Sequence, residues 1–156
     1  RNNNNLLRYK QMKQITDKIY IGTVQDYREA DTSFAFLCCA KHPVFLEIGG
    51  TAEPYKQRGR TLALNMVDAN DPKYFTLEQF TKAMQFIEQH DKVLIFCNQA
   101  KSRSPVIAML YLIKSGVFKV NNLGAAYREM KKLYPRMQPN MGIIKFVGEK
   151  LNEILS

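Results

Sequence analysis

The sequence lacks any run of about eighteen apolar residues, the length that a membrane-spanning helix requires. Its first residues, Arg1 to Asn5, are polar and do not resemble a signal peptide. With 156 residues, of which 46% are hydrophobic, the chain is long enough for one domain with a substantial core. We therefore expect a single domain with no membrane span.

Cysteine and histidine are both scarce. Of the three cysteines, Cys38 and Cys39 are adjacent and poorly placed to bridge, which leaves Cys97 over and argues against a disulfide framework. Free thiols favour a reducing compartment, so we expect a cytoplasmic protein in which Cys38 and Cys39 face the core. Neither His42 nor His90 has partners at metal-ligand spacing, so we expect neither a metal nor another cofactor.

Acidic residues are outnumbered by basic ones. The chain has 23 Lys and Arg against 14 Asp and Glu, a formal net charge of +9. Such a charge attracts anionic partners, which include nucleic acids, acidic membranes and phosphorylated substrates. The basic residues are dispersed in short groups, and no basic run alternates with aromatic residues as in single-strand binders. The pattern disfavours nucleic acid and favours a phosphate-bearing substrate.

Hydrophobic periodicity predicts strands that alternate with helices. The strands fall near residues 15–22, 34–39, 61–67 and 93–96, and the helices near residues 24–30, after Thr76, over 106–113 and in the last third, where Asn140 is a natural cap. This alternation predicts an α/β domain with a mostly parallel central sheet flanked by helices and a helical C-terminal third. We assign the domain to residues 15–156 and a partly disordered N-terminal extension to residues 1–14.

Two further segments have clear local signals. Residues 41–60 contain several prolines and glycines, which predict a long surface loop. Thr76 and Gln79 have the spacing of a capping box, and Phe75 and Phe80 have that of a hydrophobic staple. A helix is therefore predicted to begin immediately after Thr76.

The segment that follows the strand at 93–96 carries the clearest chemistry. It reads Cys97, Asn98, Gln99, Ala100, Lys101, Ser102, Arg103, Ser104, Pro105 and leads into a helix. A loop before a helix collects unpaired backbone N–H groups and the positive end of the helix dipole, and both favour a tetrahedral anion. Arg103 adds a fork of donors that suits two phosphate oxygens. The sequence therefore predicts a phosphate site made by residues 98–103.

Cys97 stands at the mouth of this predicted phosphate site. A lone cysteine at a strand end is usually a core residue. Here the field that would hold phosphate also favours a thiolate over a thiol, and Ser104 could donate a hydrogen bond to the sulfur. The context therefore favours Cys97 as a nucleophile in metal-free catalysis through a covalent intermediate.

These residues resemble the signature of the cysteine-dependent protein phosphatases, which is Cys, five residues, Arg, then Ser or Thr. The likeness is greatest to the dual-specificity group, on the loop end Ser102 to Pro105, the early strand Ile19 to Gly22 and the late segment Pro139 to Gly142. It extends over most of the chain from residue 15 onward. The resemblance implies a phosphatase fold and hydrolysis of phosphotyrosine and, more broadly, of phosphoserine and phosphothreonine.

Two positions depart from the pattern of that group. Phe96 replaces the usual His that orients the loop and tunes the thiolate, and Ala100 replaces the usual Gly three residues after the cysteine. Because the backbone must curl tightly there, we expect Ala100 to strain the loop. Neither change removes a reacting group. They keep open a second interpretation, a phosphate-binding module of the same fold with little turnover.

The resemblance also implies a general acid in the acidic loop before the Thr76 helix, where Asp68 and Asp71 are the candidates. A general acid protonates the leaving oxygen, and Asp71, six residues before Leu77, fits the family spacing better. We therefore predict Asp71 as the acid and Asp68 as a loop-shaping residue.

The sequence analysis thus predicts a phosphoric monoester hydrolase with Cys97, Arg103, Asp71 and Ser104 as catalytic residues. The expected partner is a phosphorylated protein, and we expect a monomer. A phosphatase of the same chemistry that acts on a phosphoinositide or an RNA 5′-phosphate remains a further alternative, which the basic charge permits.

Overall fold

A six-stranded mixed sheet forms the centre of the molecule in the computed structural model, which describes residues 12–156. Its strands are β1 (Lys13–Gln14), β2 (Ile19–Thr23), β3 (Ala35–Cys38), β4 (Tyr55–Arg58), β5 (Thr61–Leu64) and β6 (Val93–Cys97). The spatial order is β1-β2-β6-β3-β5-β4. The four inner strands are parallel to one another, and β1 and β4 pair antiparallel at the two edges. This confirms the predicted mostly parallel sheet.

Within residues 12–156, five α-helices accompany the sheet. They are α1 (Val24–Glu29), α2 (Leu77–Glu88), α3 (Arg103–Lys114), α4 (Leu123–Leu133) and α5 (Met141–Leu155). The chain alternates between strands and helices up to α3 and is helical from there on, so the predicted single-domain α/β fold with a helical C-terminal third is confirmed.

Strand β6 and helix α3 form the centre of the core. All five residues of β6 are buried, because the strand lies between β2 and β3. Helix α3 is buried from Arg103 to Leu112, as its apolar sequence predicts, and ends near Gly116, which has a φ of 83°. The connection between β6 and α3 thus starts from two rigid, buried elements. It lies at the carboxyl edge of the parallel strands, where α/β proteins bind ligands.

Helix α2 begins as its sequence predicts. The Thr76 hydroxyl accepts a hydrogen bond from the Gln79 backbone N–H at 3.3 Å, and the Gln79 side chain accepts one from the Thr76 N–H at 3.0 Å. The rings of Phe75 and Phe80 lie 6.3 Å apart across this start. The capping box and the staple are both present.

The prediction of a long surface loop over residues 41–60 is wrong. A helical turn occupies Lys41–Phe45, and β4 occupies Tyr55–Arg58. Val44, Phe45 and Ile48 are buried, so the segment contributes to the core although its prolines and glycines are typical of loops. Gly50 allows this packing, because a Cβ there would lie within 2.5 Å of the Phe45 ring.

The sheet also begins earlier than the predicted domain boundary at residue 15. Lys13 and Gln14 pair with Ile21 and Tyr20, so these two residues of the predicted extension belong to the fold. Residues 1–11 of that extension lie outside the described residues. Among residues 12–156, every helix is too short or too polar to cross a membrane.

Cys38 and Cys39 lie at the end of β3 and are fully buried, as predicted. Burial raises the pKa of the Cys38 thiol to about 12 and also raises that of Cys39. The Cys38 thiol donates a hydrogen bond to the Ala40 carbonyl at 3.2 Å. Both residues therefore act as small core side chains.

Candidate active site

Cys97 is the last residue of β6, where it pairs in register with Thr23 of β2. Its side chain is only 3% exposed, and its Sγ lies 3.1 Å from the Ser104 Oγ in the first turn of α3. Ser104 itself is fully buried behind the loop. The loop between Cys97 and Ser104 therefore closes back on itself, because these two side chains are in contact.

The start of α3 faces this loop without a side-chain cap. Ser102 is the N-cap residue, but its hydroxyl makes no capping hydrogen bond. It instead accepts a hydrogen bond from the Asn140 backbone N–H at 2.9 Å. An uncapped helix start retains N–H donors and a partial positive charge that an anion can satisfy.

The Arg103 side chain is buried and only partly satisfied. It is 7% exposed, and its Nη1 donates to the Met66 carbonyl at 2.8 Å. Its Nε is buried and has no hydrogen-bond partner among the described residues. A buried donor without a partner destabilises a protein by about 1–3 kcal/mol and more when charged, so a ligand oxygen at this position would be favourable.

These groups surround a cavity of about 390 Å³. Its lining residues share the mouth of the loop and two neighbouring segments; they are Asp68, Cys97, Asn98, Gln99, Lys101, Ser102, Arg103 and Gln138. The structure therefore brings together the predicted nucleophile, the predicted arginine and four further residues of the predicted phosphate site. Ser104 and Ala100 lie behind the cavity wall and are fully buried.

The two positions that depart from the family pattern have clear structural consequences. Ala100 has a φ of 59°, which is left-handed backbone that a residue with a Cβ adopts at a cost. The tight curl expected at this position is therefore present, and it is formed with an alanine. The Phe96 ring stacks on that of Tyr27 with 4.6 Å between centroids and 11° between planes. An apolar aromatic pair thus fills the position of the usual histidine.

The segment between α4 and α5 supports the outer side of the loop. The carbonyls of Gln99, Ala100 and Lys101 accept hydrogen bonds from, in that order, the Arg136 side chain at 3.2 Å, the Tyr134 hydroxyl at 2.7 Å and the Gln138 backbone at 2.7 Å. Three successive carbonyls are thus fixed by one segment.

Sequence analysis missed this support. It assigns no role to Tyr134 and identifies residues 139–142 only as a family-like segment with Asn140 as a helix cap, whereas Gln138 also lines the cavity. The polar residues between Pro135 and Pro139 were the signal available. Burial raises the pKa of Tyr134 to about 12, so its hydroxyl remains a donor at neutral pH.

The two candidate acids occupy different places. Asp68 lines the cavity, and its backbone carbonyl accepts a hydrogen bond from the Asn140 side chain at 3.2 Å. Asp71 is exposed at the start of a 3-10 turn, Pro72–Tyr74, where its Oδ1 accepts a hydrogen bond from the Lys73 N–H at 2.9 Å. Both residues are exposed, but Asp68 lines the cavity that Cys97 also lines, whereas the sequence favoured Asp71.

Asn140 and Gly142 hold the Asp68 loop against α5. Asn140 is the N-cap residue, as predicted, but its side chain bonds the loop rather than the helix. A Cβ at Gly142 would lie 2.1 Å from the Ala69 carbonyl oxygen. The loop can therefore pack this closely because position 142 has no side chain.

Comparison with known proteins finds similar proteins by sequence and by structure. No protein-family model matches the chain. Dual specificity protein phosphatase 5 of Rattus norvegicus is 34% identical over 80 residues, which is 49% of this chain and 20% of that protein. The chain thus matches only a fifth of the length of this relative.

Solved structures match over a larger part of the chain. The crystal structure of DUSP15 has a TM-score of 0.65 at 19% identity and covers 89% of this chain and 86% of that one. The human tyrosine phosphatase-like serine/threonine/tyrosine-interacting protein has a TM-score of 0.68 at 17% identity and covers 93% and 98%. In sequence and fold together, the chain is similar to the dual-specificity phosphatases of the cysteine-dependent tyrosine phosphatase superfamily.

Proposed function

We propose that the chain is a cysteine-dependent phosphatase that removes phosphate from proteins, with Cys97 as the nucleophile. The observation that carries this proposal is the meeting of three features in one cavity: the Cys97 thiol, the uncapped start of α3 and the unpartnered Nε of Arg103. The first supplies a nucleophile, and the other two supply donors for a dianionic phosphate. The similarity to dual-specificity phosphatases supports the same chemistry.

In the first step, the phosphoryl oxygens bind the loop N–H groups and Arg103, and the Cys97 sulfur attacks phosphorus. The S–P bond forms as the bond from phosphorus to the side-chain oxygen breaks. The leaving oxygen takes a proton from a carboxylic acid, so the substrate hydroxyl departs neutral and a cysteinyl phosphate remains. Arg103 is suited to this step because its buried fork can hold the charge that gathers on two oxygens.

In the second step, water attacks the cysteinyl phosphate and returns the enzyme. The carboxylate formed in the first step takes a proton from that water, the S–P bond breaks, and inorganic phosphate leaves. The departing sulfur carries a negative charge. The Ser104 hydroxyl, 3.1 Å away, is placed to donate a hydrogen bond to it.

We assign the role of the general acid to Asp68, because it is the acidic residue among those that line the cavity with Cys97. Asp71 remains the candidate favoured by the family spacing, but its Oδ1 is engaged with the Lys73 N–H outside the cavity. The two assignments predict different effects of the single substitutions Asp68→Asn and Asp71→Asn.

Phosphotyrosine is the substrate we propose first, with phosphoserine and phosphothreonine as the broader class. A cavity of about 390 Å³ can hold a phosphorylated aromatic side chain. Lys101 at the cavity and the net charge of +9 favour an anionic substrate surface.

A second candidate function is a phosphate-binding module with little turnover. The left-handed Ala100 and the apolar Phe96–Tyr27 pair favour it, because both alter the support of the loop without removing a phosphate ligand. Such a module would bind phosphate as tightly as an enzyme does but would leave the ester intact.

The test measures hydrolysis of 4-nitrophenyl phosphate in the presence of a chelator, from about pH 5 to 8. The wild-type protein and Cys97→Ser are compared in the same assay. We expect turnover that the chelator does not reduce and that the substitution removes, while binding of inorganic phosphate persists. Turnover that survives in Cys97→Ser would refute the thiolate mechanism. Phosphate binding without turnover in the folded wild-type protein would instead support the binding module.

A further inference from the structure

Among the described residues, the side chain of Tyr134 holds the peptide at Ala100 from outside the loop. Ala100 has left-handed backbone with a φ of 59° and is fully buried. Its carbonyl oxygen accepts a hydrogen bond of 2.7 Å from the Tyr134 hydroxyl. Tyr134 ends α4 and is only 2% exposed, so the contact is a buried one between two segments 34 residues apart.

A left-handed alanine requires a surrounding structure that enforces it. Glycine adopts this backbone about as readily as the right-handed one, whereas a Cβ disfavours it. The flanking carbonyls of Gln99 and Lys101 are held by Arg136 and Gln138, but those bonds act on the neighbouring peptides. The Tyr134 hydroxyl acts on the carbonyl of Ala100 itself.

We propose that Tyr134 is a positioning residue for the phosphate loop, whose hydroxyl keeps the Ala100 peptide turned so that the adjoining N–H groups face the cavity. This inference rests on the proposed function, since it concerns the same anion site. Tyr134 is absent from the residues that line the cavity in the described part of the chain, so it acts through Ala100 and not on the substrate.

The local structure suits the hydroxyl for this role. Its ring is fixed in the core at the end of α4, and the Tyr134 N–H completes the helix by donating to the Met130 carbonyl at 2.8 Å. A rigid donor loses little entropy when it holds its acceptor. Because burial raises the pKa of Tyr134 to about 12, the hydroxyl keeps its proton under assay conditions.

The proposal makes the effects of positions 134 and 100 interdependent. Removing the hydroxyl should harm the anion site when residue 100 is alanine, because the peptide can then leave the left-handed conformation. The same change should matter less when residue 100 is glycine, because glycine holds that conformation at little cost. Residues in contact show such non-additivity, whereas independent sites do not.

The experiment measures the dissociation constant of inorganic tungstate, a tetrahedral dianion, by calorimetry for four proteins. These are the wild type, Tyr134→Phe, Ala100→Gly and the double variant. We expect binding by Tyr134→Phe to be about tenfold weaker, and binding by the double variant to be within about threefold of Ala100→Gly. The matched control is Tyr111→Phe, whose hydroxyl bonds Glu88 at 2.9 Å away from the loop and whose loss should leave binding unchanged.

Other outcomes would contradict the proposal or the proposed function. Equal tungstate binding by wild type and Tyr134→Phe would overturn it and leave the proposed function intact. If Tyr134→Phe weakens tungstate binding equally with Ala or Gly at position 100, the hydroxyl acts elsewhere and the proposal is overturned. If wild type binds no tungstate, the proposed function fails first. If the single variant Tyr134→Phe does not fold, the double variant is compared with Ala100→Gly. Tungstate binding equal to that of Ala100→Gly supports the proposal, and weaker binding by a folded double variant overturns it.

Discussion

The sulfur of Cys97 and the hydroxyl of Ser104 lie 3.1 Å apart, although the two residues are seven positions apart in the chain. Cys97 ends a fully buried strand and Ser104 lies in the first turn of a buried helix, so neither residue can move far from the other. A hydroxyl held at this distance can donate to a sulfur that gains negative charge. We therefore expect the Ser104 hydroxyl to stabilise the Cys97 sulfur in the step in which the S–P bond breaks.

Ser104→Ala tests that role. Loss of the donor should slow breakdown of the cysteinyl phosphate about tenfold or more, because a hydrogen bond to a charged group contributes about 1.5–3 kcal/mol. The first step should be affected less, so rapid mixing with 4-nitrophenyl phosphate should show a burst of nitrophenol before a slow steady state. Ser115→Ala, at the other end of α3, is the control. Equal slowing of burst and steady state would contradict the assignment.

Asp68→Asn and Asp71→Asn separate the two candidate acids. With Asp68 at the cavity, Asp68→Asn should lower kcat about 100-fold or more on a substrate with a poor leaving group such as phenyl phosphate. The loss should shrink on 4-nitrophenyl phosphate, whose leaving group needs little protonation. Asp71→Asn should retain kcat within about threefold, because Asp71 bonds only its own turn among the contacts observed in residues 12–156. The reverse order would restore Asp71 as the acid.

The fold could be predicted from the sequence wherever the signal is local. Strand β6 and helix α3 are apolar runs joined by a short polar loop, and the start of α2 carries a complete capping box. The prediction of a surface loop over residues 41–60 is wrong because it also rests on local signals alone. Pro43, Gly49 and Gly50 are local loop signals, whereas the burial of Phe45 comes from packing that no local pattern reports.

The candidate site likewise has a part that local sequence predicts and a part that depends on long-range contacts. The nucleophile, arginine and phosphate loop are contiguous in sequence, so their residue types and spacing predict that they meet. The contacts of Tyr134 with Ala100 and of Asn140 with Asp68 join segments 34 and 72 residues apart. Spacing before a helix favoured Asp71, whereas Asp68 lines the cavity and its backbone carbonyl bonds the Asn140 side chain. Such long-range contacts are set by tertiary packing.

Arg103→Lys tests the geometry of the arginine separately from its charge. Lysine keeps the charge but lacks the planar fork, and so cannot bond Met66 and a phosphate together as Arg103 is placed to do. We expect tungstate binding and kcat/KM to fall about 10- to 100-fold, because charged hydrogen bonds are lost. The control is Arg128→Lys on the exposed face of α4. Unchanged tungstate binding by Arg103→Lys would contradict the role of the buried Nε.

Gly142→Ala and Gly148→Ala are the same substitution in the same helix, but we expect the first to lower kcat and the second to stabilise the fold. Gly148 is exposed, and a Cβ there meets only the Leu123 side chain at 3.8 Å, so the change should stabilise the fold by about 0.5–1 kcal/mol. At Gly142 the Cβ would collide with the Ala69 carbonyl and push the Asp68 loop away. Gly142→Ala should therefore lower kcat on phenyl phosphate with tungstate binding retained. If Gly142→Ala left kcat unchanged, the close packing on α5 would have no part in placing Asp68.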